Sequence, residues 1–209
     1  MRAAAALVLL TLLLAGASCA PRLARVRLAE PQESFWSSLH DLCGRSYEGR
    51  VVVAPPTDTS FTGRRLVMHV RECGGDSIRI PFHVGGNRSR TWVVSRTLKG
   101  LRLKHDHRHE DGHPDSITWY GGDTPDAGTA GRQSFPADAA TAALIPRARA
   151  NVWVLEMQPG RTFAYALYRD APTPRYRIEF DLERPVPAPP PPWGANGLGA
   201  EVPATHPHR

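Results

Sequence analysis

The chain has 209 residues and a formal charge of +6, with an isoelectric point near 9.7. Lysine occurs only at Lys99 and Lys104, and the arginines are scattered with no basic run interleaved with aromatic residues. The charge therefore describes no nucleic-acid-binding stripe. The long apolar run, Ala3 to Leu14, is shorter than the roughly 20 residues that cross a bilayer, which argues against an integral membrane helix.

That run follows Arg2 and leads into small residues ending at Cys19, the anatomy of a secretory signal peptide over residues 1–19. Cleavage after Ala17 would release an ordinary secreted protein. Alternatively, "AGASC" resembles a bacterial lipoprotein signal with Cys19 as the lipidated residue, although Gly16 stands where Leu is usual. Both routes predict export to the periplasm, the outer membrane or cell envelope, or the medium, and in the lipoprotein route a lipid anchor on Cys19 is the sole membrane contact. Residues 20–33 read as a tether.

Three cysteines are present, Cys19, Cys43 and Cys73. If Cys19 carries lipid or leaves with the signal, Cys43 and Cys73 form a disulfide; in the chain-entropy model a loop of about 30 residues is worth roughly 3–4 kcal/mol. Two buried free thiols are the alternative.

A single domain is expected over residues 34–184. "ESFWSSLHDLCG" predicts a short helix capped by Ser34, with Phe35, Leu39 and Leu42 near one face and Gly44 as its stop. From Arg50 to Glu183 the hydropathy alternates with period two, the signature of strands. In "RLVMHVREC" and "SIRIPFHV", a three-residue turn at Gly74, Gly75 and Asp76 would pair Val70 with Ile80 and Met68 with Phe82. All large apolar side chains then share one face. His69 and His83 fall on the opposite, outward face beside Arg71 and Arg79, where solvated surface is the ordinary reading.

Further strands are predicted in "SRTWVVSRT", "LRLKHDHRH", "SITWYGG", "NVWVLEM", "TFAYALYR" and "RYRIEFDLE", with a second helical segment near Pro136 to Ile145. Many short strands with Gly, Pro and Asp connections define a mainly β protein, an antiparallel calycin-like β-barrel or a sandwich with a short N-terminal helix. Closure removes exposed edges and favours the barrel. Residues 185–209 form a Pro-rich segment too poor in apolar surface to order itself, with Trp193 able to dock back.

"LKHDHRHEDGHPD", Leu103 to Asp115, concentrates histidine and acidic residues. Alternation puts His105, His107 and His109 on the face of Leu101 and Leu103, at one end of the interior. A five-residue turn, Glu110 to Pro114, would place Ile117 opposite His107 and Trp119 opposite His105. Histidines at i and i+2 on a strand lie roughly 7 Å apart and can share a metal ion. His105 and His107, or His107 and His109, completed by His113 or Glu110, thus form a candidate site for zinc or another divalent transition metal.

Trp92, Trp119 and Trp153 are candidates to line a ligand cavity. The leading functional reading is a small-ligand or metal-binding module of the cell envelope, acting as a monomer. A metal-dependent hydrolase with Asp106, Glu110 or Asp111 as base is the alternative, and a purely structural or interaction protein a third reading. The sequence contains no Gly-x-Ser-x-Gly nucleophile, phosphate-binding glycine loop or His-Glu-x-x-His motif.

At "FTGRRLVMHVREC", "IRIPFHVG", "SRTWVVSR", "LKHDHRHEDG", "ITWYGG", "FPAD" and the closing "PWG", the chain resembles a family of uncharacterised bacterial exported proteins and lipoproteins. The resemblance runs from about Phe35 to Trp193. It implies an envelope location and a mainly β domain, and supplies no catalytic residues.

Overall fold

A computed structural model describes residues 26–195. The segment predicted to be a signal peptide, Cys19 and the last residues of the Pro-rich segment lie outside it. The described chain forms eleven strands: β1 (Ser46–Val53), β2 (Leu66–His69), β3 (Glu72–Cys73), β4 (Ser77–Val84), β5 (Asn87–Thr97), β6 (Gly100–His107), β7 (Tyr120–Asp123), β8 (Arg132–Pro136), β9 (Asn151–Gln158), β10 (Thr162–Arg169) and β11 (Tyr176–Val186). Two helices join them, α1 (Glu30–His40) and α2 (Ala139–Leu144).

The strands make one antiparallel sheet in the order β7-β6-β5-β4-β2-β1-β11-β10-β9-β8, with β3 against β4. It curls into a nearly closed barrel, and the two end strands meet at the "YGG" of β7. Asp138 donates its amide to the Gly121 carbonyl at 3.0 Å, and the Thr141 hydroxyl bonds both the carbonyl and the amide of Gly121. Glycine is required here by contact: a Cβ on Gly122 would sit 1.8 Å from the Pro136 carbonyl oxygen, and one on Gly121 2.0 Å from that of Leu103.

Alternation governs the interior as predicted. Ile78, Ile80, Phe82 and Val84 of β4, Leu101 and Leu103 of β6, and Ile178, Phe180 and Leu182 of β11 all face the core. Aromatic rings fill its centre, where Trp92 stacks between Phe82 at 4.7 Å and Tyr165 at 4.6 Å.

Helix α1 begins a turn earlier than its sequence suggests. Pro31 occupies the first turn, where a missing N–H costs nothing, and the Ser34 hydroxyl bonds Glu30 within the helix instead of capping it. The tether therefore ends before residue 30. Phe35, Trp36 and Leu39 are buried against the barrel, Gln32 donates to Thr124 at 2.9 Å, and Glu33 pairs with the buried guanidinium of Arg96. A disulfide joins Cys43, just past α1, to Cys73 on β3.

Two registers depart from expectation. Met68 pairs with Phe82 as predicted, but Cys73 pairs with Ile78 and Glu72 with Arg79. A two-residue turn at Gly75 and Asp76, closed by the Gly74 amide on the Ser77 carbonyl at 2.8 Å, replaces the three-residue one. His69, Val70 and Arg71 then face only Ile80 and Pro81, a bulge that restores the register by Met68.

In the second case Tyr120, not Trp119, stands opposite His105. Trp119 has a left-handed backbone, φ 61°, and the stretch Ser116–Trp119 is loop. The Thr118 hydroxyl accepts the His107 amide and so takes the place of a ladder partner.

At the C-terminal end, β11 runs on to Val186, and residues 187–195 pack back onto the barrel wall instead of leaving it. No described helix is long and apolar enough to cross a membrane.

Candidate functional site at the polar end of the barrel

Strand β6 carries chemistry on both of its faces. Inward, His105 lies at the junction of β5, β6 and β7, paired with Trp92 on one side and Tyr120 on the other. Its Nδ1 meets the Tyr120 carbonyl oxygen at 3.1 Å and its Nε2 meets the Tyr165 hydroxyl at 2.9 Å. A carbonyl only accepts, so Nδ1 carries the proton and Tyr165 donates to Nε2. The imidazole stacks on the Tyr120 ring at 4.6 Å. Burial, helped by the neighbouring His107, pushes its pKa down to about 3, so His105 is a neutral part of the core with no free lone pair for a metal.

His107 lies two residues further along β6, opposite Arg90 on β5. Its Nε2 bonds the Tyr120 hydroxyl at 3.0 Å. Burial and then the Arg90 charge lower its pKa to about 4, while burial raises the Tyr120 phenol to about 12. At neutral pH this set is uncharged except for Arg90.

Arg90 is half-buried, donates to Asn87 at 3.0 Å and lies over the Phe61 ring at 6.0 Å. It makes no ion pair among the described residues. Phe61 reaches the same end from the β1–β2 loop, held by the Asp58 carboxylate, which accepts the amides of Ser60, Phe61 and Thr62. Phe61 packs edge-on against Tyr176 at 5.4 Å.

The predicted metal set is not assembled. His109, Glu110 and His113 are exposed at the hairpin tip, where His109 and His113 join through backbone and His113 faces Asp111 at 3.3 Å. Among the described residues no group of three or more His, Cys, Asp or Glu side chains is placed to hold a metal ion. The geometric reason is the fate of His105: a strand alternating into a filled barrel buries its first histidine and sends its last into solvent.

The predicted ligand-lining indoles do not form one cavity either. Trp92 and Trp153 are buried core residues, and Trp119 sits in the β6–β7 loop. The site was missed at Arg90, whose signal was present: a basic residue cross-strand from a predicted inward-facing histidine.

Outward, Asp106 is buried and accepts from Arg79 at 2.6 Å, while Arg108 lies at 3.3 Å. These residues, with Arg71, Glu72, Pro81, Thr91 and Trp193, line a cleft of about 240 Å³ on the barrel wall. The acids suggested as a hydrolytic base are thus split between this outer cleft and the exposed tip, apart from the inner histidines. No family model, curated protein or solved structure matches the chain.

Proposed function

We propose that the protein is an exported β-barrel binding module whose polar end takes a small anionic ligand, with Arg90 as the anchor. One observation carries this reading: Arg90 is a half-buried guanidinium without a counter-ion among the described residues, beside a neutral His107 and over an aromatic ring. Removing a cation from water without an acidic partner is costly, and an incoming carboxylate or phosphate oxygen would recover that cost through charge-assisted hydrogen bonds. The Tyr120 hydroxyl, His107 and the faces of Phe61 and Tyr176 would supply polar and apolar contacts around it. A disulfide fits an oxidising compartment, which supports the export reading.

The test is calorimetric titration of the full chain with inorganic phosphate, acetate, succinate and benzoate, beside Arg90→Gln. Saturable binding, tighter than about 1 mM and weakened at least about tenfold in the variant, is expected. Absence of saturable binding by every anion, or equal affinity in the variant, would remove Arg90 as the anchor.

A further inference from the structure

His83 belongs to the outward face of β4, since Phe82 and Val84 on either side enter the core. An outward histidine on a barrel wall is ordinarily solvated, yet His83 is only 4% exposed and its Nε2 has no hydrogen-bond partner among the described residues. It is opposed by a bulge: Phe82 pairs with Arg90 and Val84 with Asn87, so Arg88 and Ser89 together face His83.

Arg88 is also where the C-terminal segment is fastened. Its guanidinium donates to the Pro191 carbonyl at 3.1 Å, and its own carbonyl accepts the Trp193 amide at 3.1 Å. The segment leaves β11 at Val186, which is paired with Ser46, itself paired with His69. Reaching Arg88 requires passing β1, β2 and β4, four strand spacings of about 4.8 Å or roughly 19 Å in all. Seven residues of polyproline conformation span about 22 Å, so the segment has little slack and must lie flat across the wall. Trp193 then lines the outer cleft beside Pro81 and Thr91.

We propose that this strap is an acid-released cover, held down by neutral His83 and opened when His83 takes up a proton. Protonation would put a second positive charge against Arg88, under a strap whose residues 185–195 contain no acidic side chain. The other groups facing the site do not compensate: His69 on β2 adds repulsion when charged, and Arg65 and Glu48 neutralise each other at 2.9 Å. The docked arrangement buries two polar atoms without partners among the described residues, His83 Nε2 and Trp193 Nε1, a desolvation cost that opening would relieve. Burial and Arg88 together hold the docked imidazole's pKa down to about 4. Opening uncovers the cleft of Arg71, Arg79 and Arg108.

The full chain labelled with 5-fluorotryptophan tests this by fluorine NMR between pH 7.5 and 4.5, with Trp193→Phe assigning the strap resonance. The core residues Trp92 and Trp153 report in the same spectra whether the barrel stays folded. The ratio of docked to open strap should fall by up to about tenfold per pH unit below 6.5, while the core resonances hold their positions. His83→Gln, or His83→Asn if the first folds poorly, should abolish that dependence. A strap resonance unchanged by acid, one that changes only together with the core, or equal pH dependence in the variants would overturn the proposal.

Discussion

Acid should destabilise this barrel through His105, and the size of the effect follows from its environment. The unfolded chain binds a proton at His105 with the ordinary pKa of 6.5, whereas the folded chain resists it down to about 3. Stability from this group is therefore complete above pH 6.5 and is lost as pH falls from there toward 3. One pKa unit is 1.36 kcal/mol, so about 2 kcal/mol should be gone by pH 5, an appreciable part of a domain's ~5–15 kcal/mol.

His105→Gln separates this contribution from the rest. The shorter amide cannot serve both the Tyr120 carbonyl and the Tyr165 hydroxyl, and about 1–3 kcal/mol should be lost at neutral pH. Between pH 6 and 4, however, the variant's stability should fall less steeply than the wild type's, by about 1.4 kcal/mol per pH unit. Urea unfolding at several pH values, followed by near-ultraviolet dichroism of the core tryptophans, measures both curves. Parallel pH dependences would refute the assignment of His105 as a buried neutral core residue.

Asp106→Asn should cost about 2–3 kcal/mol in urea unfolding, below the figure for a fully buried pair because Arg79 and Arg108 keep some solvent contact. Gly122→Ala should open the β7–β8 seam at a cost of about 3 kcal/mol, visible as lost exchange protection of the Asp138 amide. Replacing Cys43 and Cys73 by Ser should lower stability by about 3 kcal/mol in thermal unfolding. Zinc should leave the urea midpoint unchanged, because His105 has no free nitrogen and the tip histidines are not joined by further ligands among the described residues.

Much of the wall was legible because burial in a barrel repeats every second residue. Met68 opposite Phe82, the inward set on β4 and β11, and the inward turn of His105 were all readable on that basis. Turns were less so. Gly74, Gly75 and Asp76 permit two loop lengths, and which is used depends on whether a bulge at His69–Arg71 can be accommodated against β4, a question about the partner strand. Trp119 fell out of register because Thr118 offered a hydroxyl to the ladder, an exchange that no periodicity registers.

Cysteine counting offered Cys43 and Cys73 as a disulfide pair, and the sequence alone determined two things more: which residues alternate into a core, and that an amphipathic helix precedes the strands. These follow from chain-local geometry: side chains reverse faces every residue on a strand and recur every three to four on a helix. Tertiary structure alone decided that His105 is saturated by Tyr120 and Tyr165, that Arg90 has no ion-pair partner among the described residues, and that the Pro-rich segment docks back at Arg88 on β5. Each is a matter of which atoms from distant parts of the chain meet at a point. Desolvation, charge pairing and hydrogen-bond satisfaction are set by those meetings, not by residue type.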